Sequence, residues 1–160
     1  MESEAVFRQA LAAAYRLLAR RSHSQEELKA KLLKKGFDPS VAAHVLELVE
    51  RLGYINDEQT SLQWALSLVE KRCWGRHKVK AYLMHKGIER EVIDRVQQQI
   101  WHTFDEADVA RAALQKHYSR TGRQPSREQM VRFLQSRGFT QDAIGKNLDA
   151  DTIDNGKWQR

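Results

Sequence analysis

EELKAKLLKKGFDPSVAAHVLELV, residues 26–49, decides the fold, because its pattern occurs three times in the chain. RHKVKAYLMHKGIEREVIDRVQQQI from Arg76 and EQMVRFLQSRGFTQDAIGKNL from Glu128 align with it without a gap. Gly36, Gly87 and Gly138 thus recur every 51 residues. One supersecondary unit has been copied, and copies stack to share a core. Such an array points to a binding scaffold and away from a single-pocket enzyme.

Each copy reads as three helices. In the central helix, Leu28 with Leu32, Val79 with Leu83, and Met130 with Leu134 are i, i+4 apolar pairs that face a core. Ser24–Glu27 and Ser126–Gln129 have the spacing of capping boxes, and Gly75 takes the equivalent place in the middle unit. The helix ends at the repeat glycine, which adopts the left-handed C′ conformation at little cost. The third helix starts at Asp38, with Pro39 at N1, and at Thr140 in the last unit. Its expected core positions are Val41 and Val45, Val92 and Val96, then Ala143 and Leu148. The first helices span roughly Ala5–Arg20, Asp57–Arg72 and Asp105–Arg120, with Asp57 as one cap and Thr103–Glu106 as a further capping box. Arg123 and Gln124 fall in an insertion, and the polar residues 151–160 are expected to fray. The reading is all-α: three tandem three-helix, helix-turn-helix-like repeats at 1–55, 56–103 and 104–150, forming an elongated, curved array.

Composition narrows the function. No alternating β pattern of useful length occurs, and no apolar run approaches the roughly 18 residues of a membrane span. Glu2 and Glu4 stand where an export signal needs cations, and Cys73 is the only cysteine, so a cytoplasmic protein without membrane contact is expected. The net charge of +6 suggests an acidic partner. That charge is even, with +2 in each of residues 1–51, 52–103 and 104–160.

Position sorts the basic residues. Lys35, Lys86 and Arg137 each precede a repeat glycine, where a cation meets the negative end of the helix dipole, and this reads as structural. Glu27, Lys78 and Gln129 are equivalent and are read at an outward angle of the central helix. So are Ala30, Ala81 and Arg132, and Lys34, His85 and Ser136. The middle unit gains cations at these positions. Residues 71–88 contain six Lys/Arg and two His with no carboxylate. Lys71, Arg72, Arg76, Lys78 and Lys80 are therefore candidates for gripping phosphates or an acidic surface, joined by Arg20, Arg21 and Lys34. Trp74 reads either as a staple onto Val79 or as an exposed stacking platform. Trp64 and Trp101 read as packing residues. No phosphate-binding glycine loop and no zinc-type pairing of His, Cys or Glu occurs, so neither catalysis nor a cofactor or metal is expected.

Together these residues resemble the RecX family from about Leu17 to Leu148. The carriers are Leu17 through Ser24, Glu27-Leu28, Lys35-Gly36-Phe37, Leu52 through Asp57, Lys86-Gly87-Ile88 and Arg137-Gly138-Phe139. Asn56 departs from the family's usual acid, and Lys78-Val79 and Tyr82-Leu83 depart from its usual Arg-Ile and Glu-Leu pairs. The resemblance implies a non-enzymatic modulator, mainly an inhibitor, of RecA in DNA repair, recombination and the SOS response. It would bind as a monomer in the groove of the RecA–DNA filament, touching RecA, single-stranded DNA or both. There it would block extension and suppress strand exchange, ATP hydrolysis and LexA cleavage. A direct DNA-binding module independent of RecA, or an adaptor for another acidic protein, are the alternatives. Reversing Lys71, Arg76 and Lys78 to glutamate is expected to abolish filament binding without lowering the melting temperature.

Overall fold

The computed structural model describes residues 2–119 and 125–153. The insertion residues Arg123 and Gln124, the end of the third first-helix at Arg120, and residues 154–160 of the tail lie outside them. Among the described residues there are nine α-helices and no strand. They fall in triplets: α1 Glu2–Leu18, α2 Gln25–Lys34 and α3 Pro39–Arg51; α4 Asp57–Arg72, α5 Arg76–His85 and α6 Arg90–Thr103; α7 Glu106–Tyr118, α8 Arg127–Ser136 and α9 Gln141–Ile153. None is long and apolar enough to cross a membrane.

The repeated pattern produces repeated local structure. Gly36, Gly87 and Gly138 have φ of +88°, +73° and +79°. At Gly138 the Phe139 N–H donates to Leu134 O (3.2 Å) and Gly138 N–H to Gln135 O (2.9 Å), the paired bonds of a Schellman ending. Gly36 and Gly87 close their helices identically, and Gly53 ends α3 in the same way. All six expected central-helix core residues are buried. Ser126 and Gln129 form a complete capping box.

Other boundaries differ from expectation. Ser24 Oγ accepts from Glu27 N–H, but the Glu27 carboxylate turns away to two cations, so only half of that box exists. Asn56, not Asp57, caps α4, accepting from Gln59 N–H at 2.9 Å. Asp105 caps α7, and Thr103 ends α6 with its hydroxyl donating to Gln99 O. Asp38 sits at the N-cap of α3 without a side-chain bond. Thr140 Oγ1 does accept from Ala143 N–H at 3.4 Å. In the third helices Val41 and Val92 are half-buried, whereas Ala42, Ile93 and Ile144 are fully buried. The other expected core residues, Val45, Val96, Ala143 and Leu148, are buried, so the departure is confined to the first turn of these helices.

The chain divides into two compact units: Met1–Gln63 with Leu83–Ile93, and Trp64–Tyr82 with Asp94–Arg160. In the first, Ala10, Ala14, Leu28, Leu32, Val45 and Val49 form the middle of one apolar cluster from α1, α2 and α3. His23 is 2% exposed at its edge. Burial holds its pKa below the usual imidazole value. It sits as a neutral ring with Nδ1 donating to Arg21 O and Nε2 accepting from the Lys31 ammonium. In the second unit α7, α8 and α9 bury Ala110, Leu114, Leu134, Phe139 and Ile144. Buried Asn147 is satisfied by Ala107 O and Ala143 O, both at 2.9 Å.

Each unit contains one copy of the same joint, in which the first turn of a central helix seats on the glycine loop of the next repeat. In the first unit Ser24 Oγ donates to Lys86 O (2.6 Å), and Lys86 Nζ donates to Glu27 Oε1 (2.6 Å). Glu27 also takes both guanidinium nitrogens of Arg21, at 3.0 and 3.2 Å. In the second unit Gly75 N–H donates to Arg137 O (2.9 Å) and His77 N–H to Gly138 O (2.8 Å). A Cβ on Gly75 would lie 2.5 Å from the Phe139 backbone, so glycine is required there by close approach. Glu27 and its counterpart Lys78 therefore face a neighbouring loop rather than outward, as the helix angle had suggested.

Candidate functional site

Several cations gather where α4 ends. Its last turn carries Lys71 and Arg72, and the chain then reverses through Cys73, whose φ of +50° is the one positive value among the described non-glycine residues. Trp74 N–H reaches back to Leu68 O at 3.3 Å. This ending leaves carbonyls of the final turn without helical partners. Two cations distant in sequence supply them: Lys116 Nζ donates to Lys71 O (2.8 Å) and Arg137 Nη1 to Arg72 O (2.9 Å). Cations are favoured at that negative helix end.

The result is a cleft of about 260 Å³ lined by Lys71, Arg72, Lys116, His117 and Arg137, with Cys73 and Ala113. Among the described residues no carboxylate lines it. Its basic side chains are held by aromatic rings as well as carbonyls. His117 stacks on Phe133 at 4.3 Å, and the Arg137 guanidinium lies 5.2 Å from the same ring. The Arg72 guanidinium lies 5.6 Å from the Trp74 ring, and Lys78 Nζ 4.8 Å from it. Lys116 has two further ammonium hydrogens and Arg137 four further N–H groups beyond the carbonyl bonds, so the cleft remains a donor-rich anion environment.

The eight cations chosen from sequence divide into three groups. Lys71 and Arg72 are exposed and line this cleft. Arg76, Lys78 and Lys80 are in the same unit but carry internal bonds. Arg76 Nε lies 3.6 Å from Glu106 Oε2, whose side chain is 9% exposed, and its guanidinium lies over Trp101 at 5.2 Å. Glu106 also accepts from Arg76 N–H and from Thr140 Oγ1. Lys78 Nζ donates to Ser136 O at 3.0 Å, and Lys80 reaches Asp94 at 3.4 Å. Reversing Arg76 would set glutamate against glutamate, and reversing Lys78 would set one against a carbonyl. The triple reversal of Lys71, Arg76 and Lys78 therefore lowers stability, contrary to the expectation from sequence. Arg20, Arg21 and Lys34 belong to the other unit and do not line the cleft. Arg20 and Lys34 are exposed, while Arg21 is committed to Glu27.

Lys116 and His117 went unnoticed in the sequence, and Arg137 was read only as a dipole cation. All three reach the cleft across separations of 45 to 66 residues from Lys71, which a linear charge scan does not register. Trp74 is half-buried, its ring 6.1 Å from Tyr82. Trp64 stands edge-on to Tyr82, and Trp101 Nε1 donates to Gln97. Among the described residues no group of three or more His, Cys, Asp or Glu could hold a metal ion.

Comparison with known proteins gives a consistent relationship. The family model described as RecX, first three-helix domain, matches residues 10–47. The regulatory protein RecX of Chlorobaculum tepidum is 31% identical over 141 residues, 87% of this chain and 86% of its own length. That of Thermus thermophilus is 34% identical over 146 residues, 89% of each. A crystal structure of RecX from Lactobacillus salivarius has a TM-score of 0.79 at 15% identity, covering 94% of this chain and 99% of that one, a likeness of fold.

Proposed function

The chain belongs to the RecX family of regulatory proteins, and on that footing we propose that it modulates RecA by binding the RecA–DNA filament. It regulates by occupying the filament groove, which blocks extension and lowers strand exchange, ATP hydrolysis and co-protease activity. No catalytic step of its own is involved. The observation that carries this reading is the carboxylate-free cleft at the end of α4. Lys71, Arg72, Lys116, His117 and Arg137 meet an acidic protein surface or filament-bound DNA there. Arg20 and Lys34 make a second, separate contact. Several weak contacts on one chain add as multivalent binding, so moderate charge at each suffices.

A paired reversal tests the cleft. Lys71→Glu with Arg72→Glu changes two exposed side chains and leaves every described ion pair in place. Binding to RecA filaments on labelled single-stranded DNA, followed by anisotropy, is expected to weaken about tenfold or more, because like charges then face the partner. The melting temperature falls by only a few degrees, the cost of losing two helix-end cations and the Arg72–Trp74 contact, and the variant stays folded. Equal affinity of the folded variant contradicts the assignment. Tight binding to the labelled strand without RecA, with a steep salt slope, indicates the plain DNA-binding module instead.

A further inference from the structure

Among the described residues the joint between repeats is built twice, and its two halves also occur once each with no such counterpart. Ser24 and Lys86 are 62 residues apart, and so are Gly75 and Arg137. In both places a helix's first turn covers the repeat glycine. A Cβ on Gly87 would lie 2.6 Å from Glu26 Cβ, and one on Gly138 would lie 2.4 Å from Lys78 N. At Gly36 the same Schellman loop has nothing within 4 Å of that position, and Lys35 and Gly36 are exposed. The opposite half is left over at the start of α8. Ser126, Arg127, Glu128 and Gln129 are all exposed around an intact capping box.

These halves match the joint of the first unit. Ser126-Arg127-Glu128-Gln129 repeats the chemistry of Ser24-Gln25-Glu26-Glu27, and Lys35-Gly36-Phe37 repeats Lys86-Gly87-Ile88. We propose that the Ser126–Gln129 turn of one copy seats on the Lys35–Gly36–Phe37 loop of a second copy of this chain, forming a third joint between molecules. Ser24 Oγ accepts from Glu27 N–H while donating to Lys86 O. Ser126 Oγ accepts from Gln129 N–H in the same way and donates its own hydrogen to Lys35 O of the second copy. Glu128 covers Gly36 as Glu26 covers Gly87, and Gln129 faces Lys35 as Glu27 faces Lys86.

Two properties follow. The surfaces differ, so the contact is heterologous and joins one copy head to tail with the next. It involves one helical turn, and the glutamate of the internal joint is here a neutral glutamine. Association is therefore weak, and the dilute protein is a monomer.

Sedimentation equilibrium on the full chain, without RecA or DNA, tests the proposal at protein concentrations up to about 1 mM. The average mass of the wild type rises with concentration. Gln129→Glu keeps the capping box, since glutamate serves equally at N3, and adds the missing partner for Lys35. It should shift association to about fivefold lower concentration, the effect of one well-placed ion pair. Lys35→Glu and Gln129→Lys each reduce association, and a mixture of the two regains it through the swapped pair. The proposal is overturned if wild type and Gln129→Glu both remain monomeric throughout. It is equally overturned if Lys35→Glu leaves the association unchanged. Neither outcome bears on RecA binding.

Discussion

Replacing Gly138 by alanine is expected to cost about 4 kcal/mol, against about 1 kcal/mol for the same change at Gly36, although both are the same residue of the repeat. Both glycines hold a left-handed backbone, at φ of +79° and +88°, where a side chain costs about 1–2 kcal/mol. The difference is what the new methyl group meets. At Gly36 it enters open space. At Gly138 it would stand 2.4 Å from Lys78 N and 2.5 Å from Lys78 Cβ. The first of these is backbone, which cannot swing aside without breaking the His77 N–H to Gly138 O bond beside it. Denaturant titration of the two variants gives the comparison. Equal losses would mean that backbone conformation alone accounts for the repeat glycine, and the second joint would have no energetic weight.

The second large effect is expected at Glu27. Its carboxylate joins Arg21 and Lys86 with a side chain only 16% exposed. Glu27→Ala removes the carboxylate that two cations share and is expected to lower stability by about 3 kcal/mol, or about 6–12 °C in melting temperature. The pH dependence carries the same signature. Burial by itself would raise this carboxyl, but hydrogen bonds and charge from Arg21 and Lys86 outweigh it and bring it from 4.5 to about 2. A folded pKa below the unfolded one gives stability that is complete above about pH 4.5 and is lost as pH falls toward 2. Asp57 has the opposite sign: burial, then the charges of Glu50, Glu89 and Glu27, raise it, so its protonation on acidification does not destabilise the fold. Stability of Glu27→Gln should therefore fall less between pH 4.5 and 2 than that of the wild type. Parallel curves would place the acid sensitivity elsewhere.

Much of this architecture was legible because local chemistry repeats locally. The Gly36, Gly87 and Gly138 endings, the Ser126 capping box and the Leu28/Leu32 type of core pair depend on residues within five positions of one another. Legibility stopped where a residue's role is set by a distant partner. Glu27 has a suitable place in a capping box, yet Arg21 and Lys86 offer full charges and draw the carboxylate away from the Ser24 N–H. In the third helices Val45, Val96, Ala143 and Leu148 are buried as expected, but Val41 and Val92 were placed in the core ahead of their neighbours Ala42 and Ile93. The buried stripe nevertheless passes through Ala42, Ile93 and Ile144. For the cleft, Lys71 and Arg72 were visible in a run of cations. Lys116 and Arg137 came into view only once helix ends had placed them on the last carbonyls of α4. Conversely Arg76, prominent in that run, is held by Glu106, a partner thirty residues on.

The central claim is that this chain regulates RecA on its filament. It is tested most directly by RecA's ATP hydrolysis on saturating single-stranded DNA, with this protein titrated well below the RecA concentration. Excess DNA removes strand sequestration as a cause. A progressive fall in rate, with each molecule silencing many RecA subunits, is the predicted result. An unchanged rate would contradict the account.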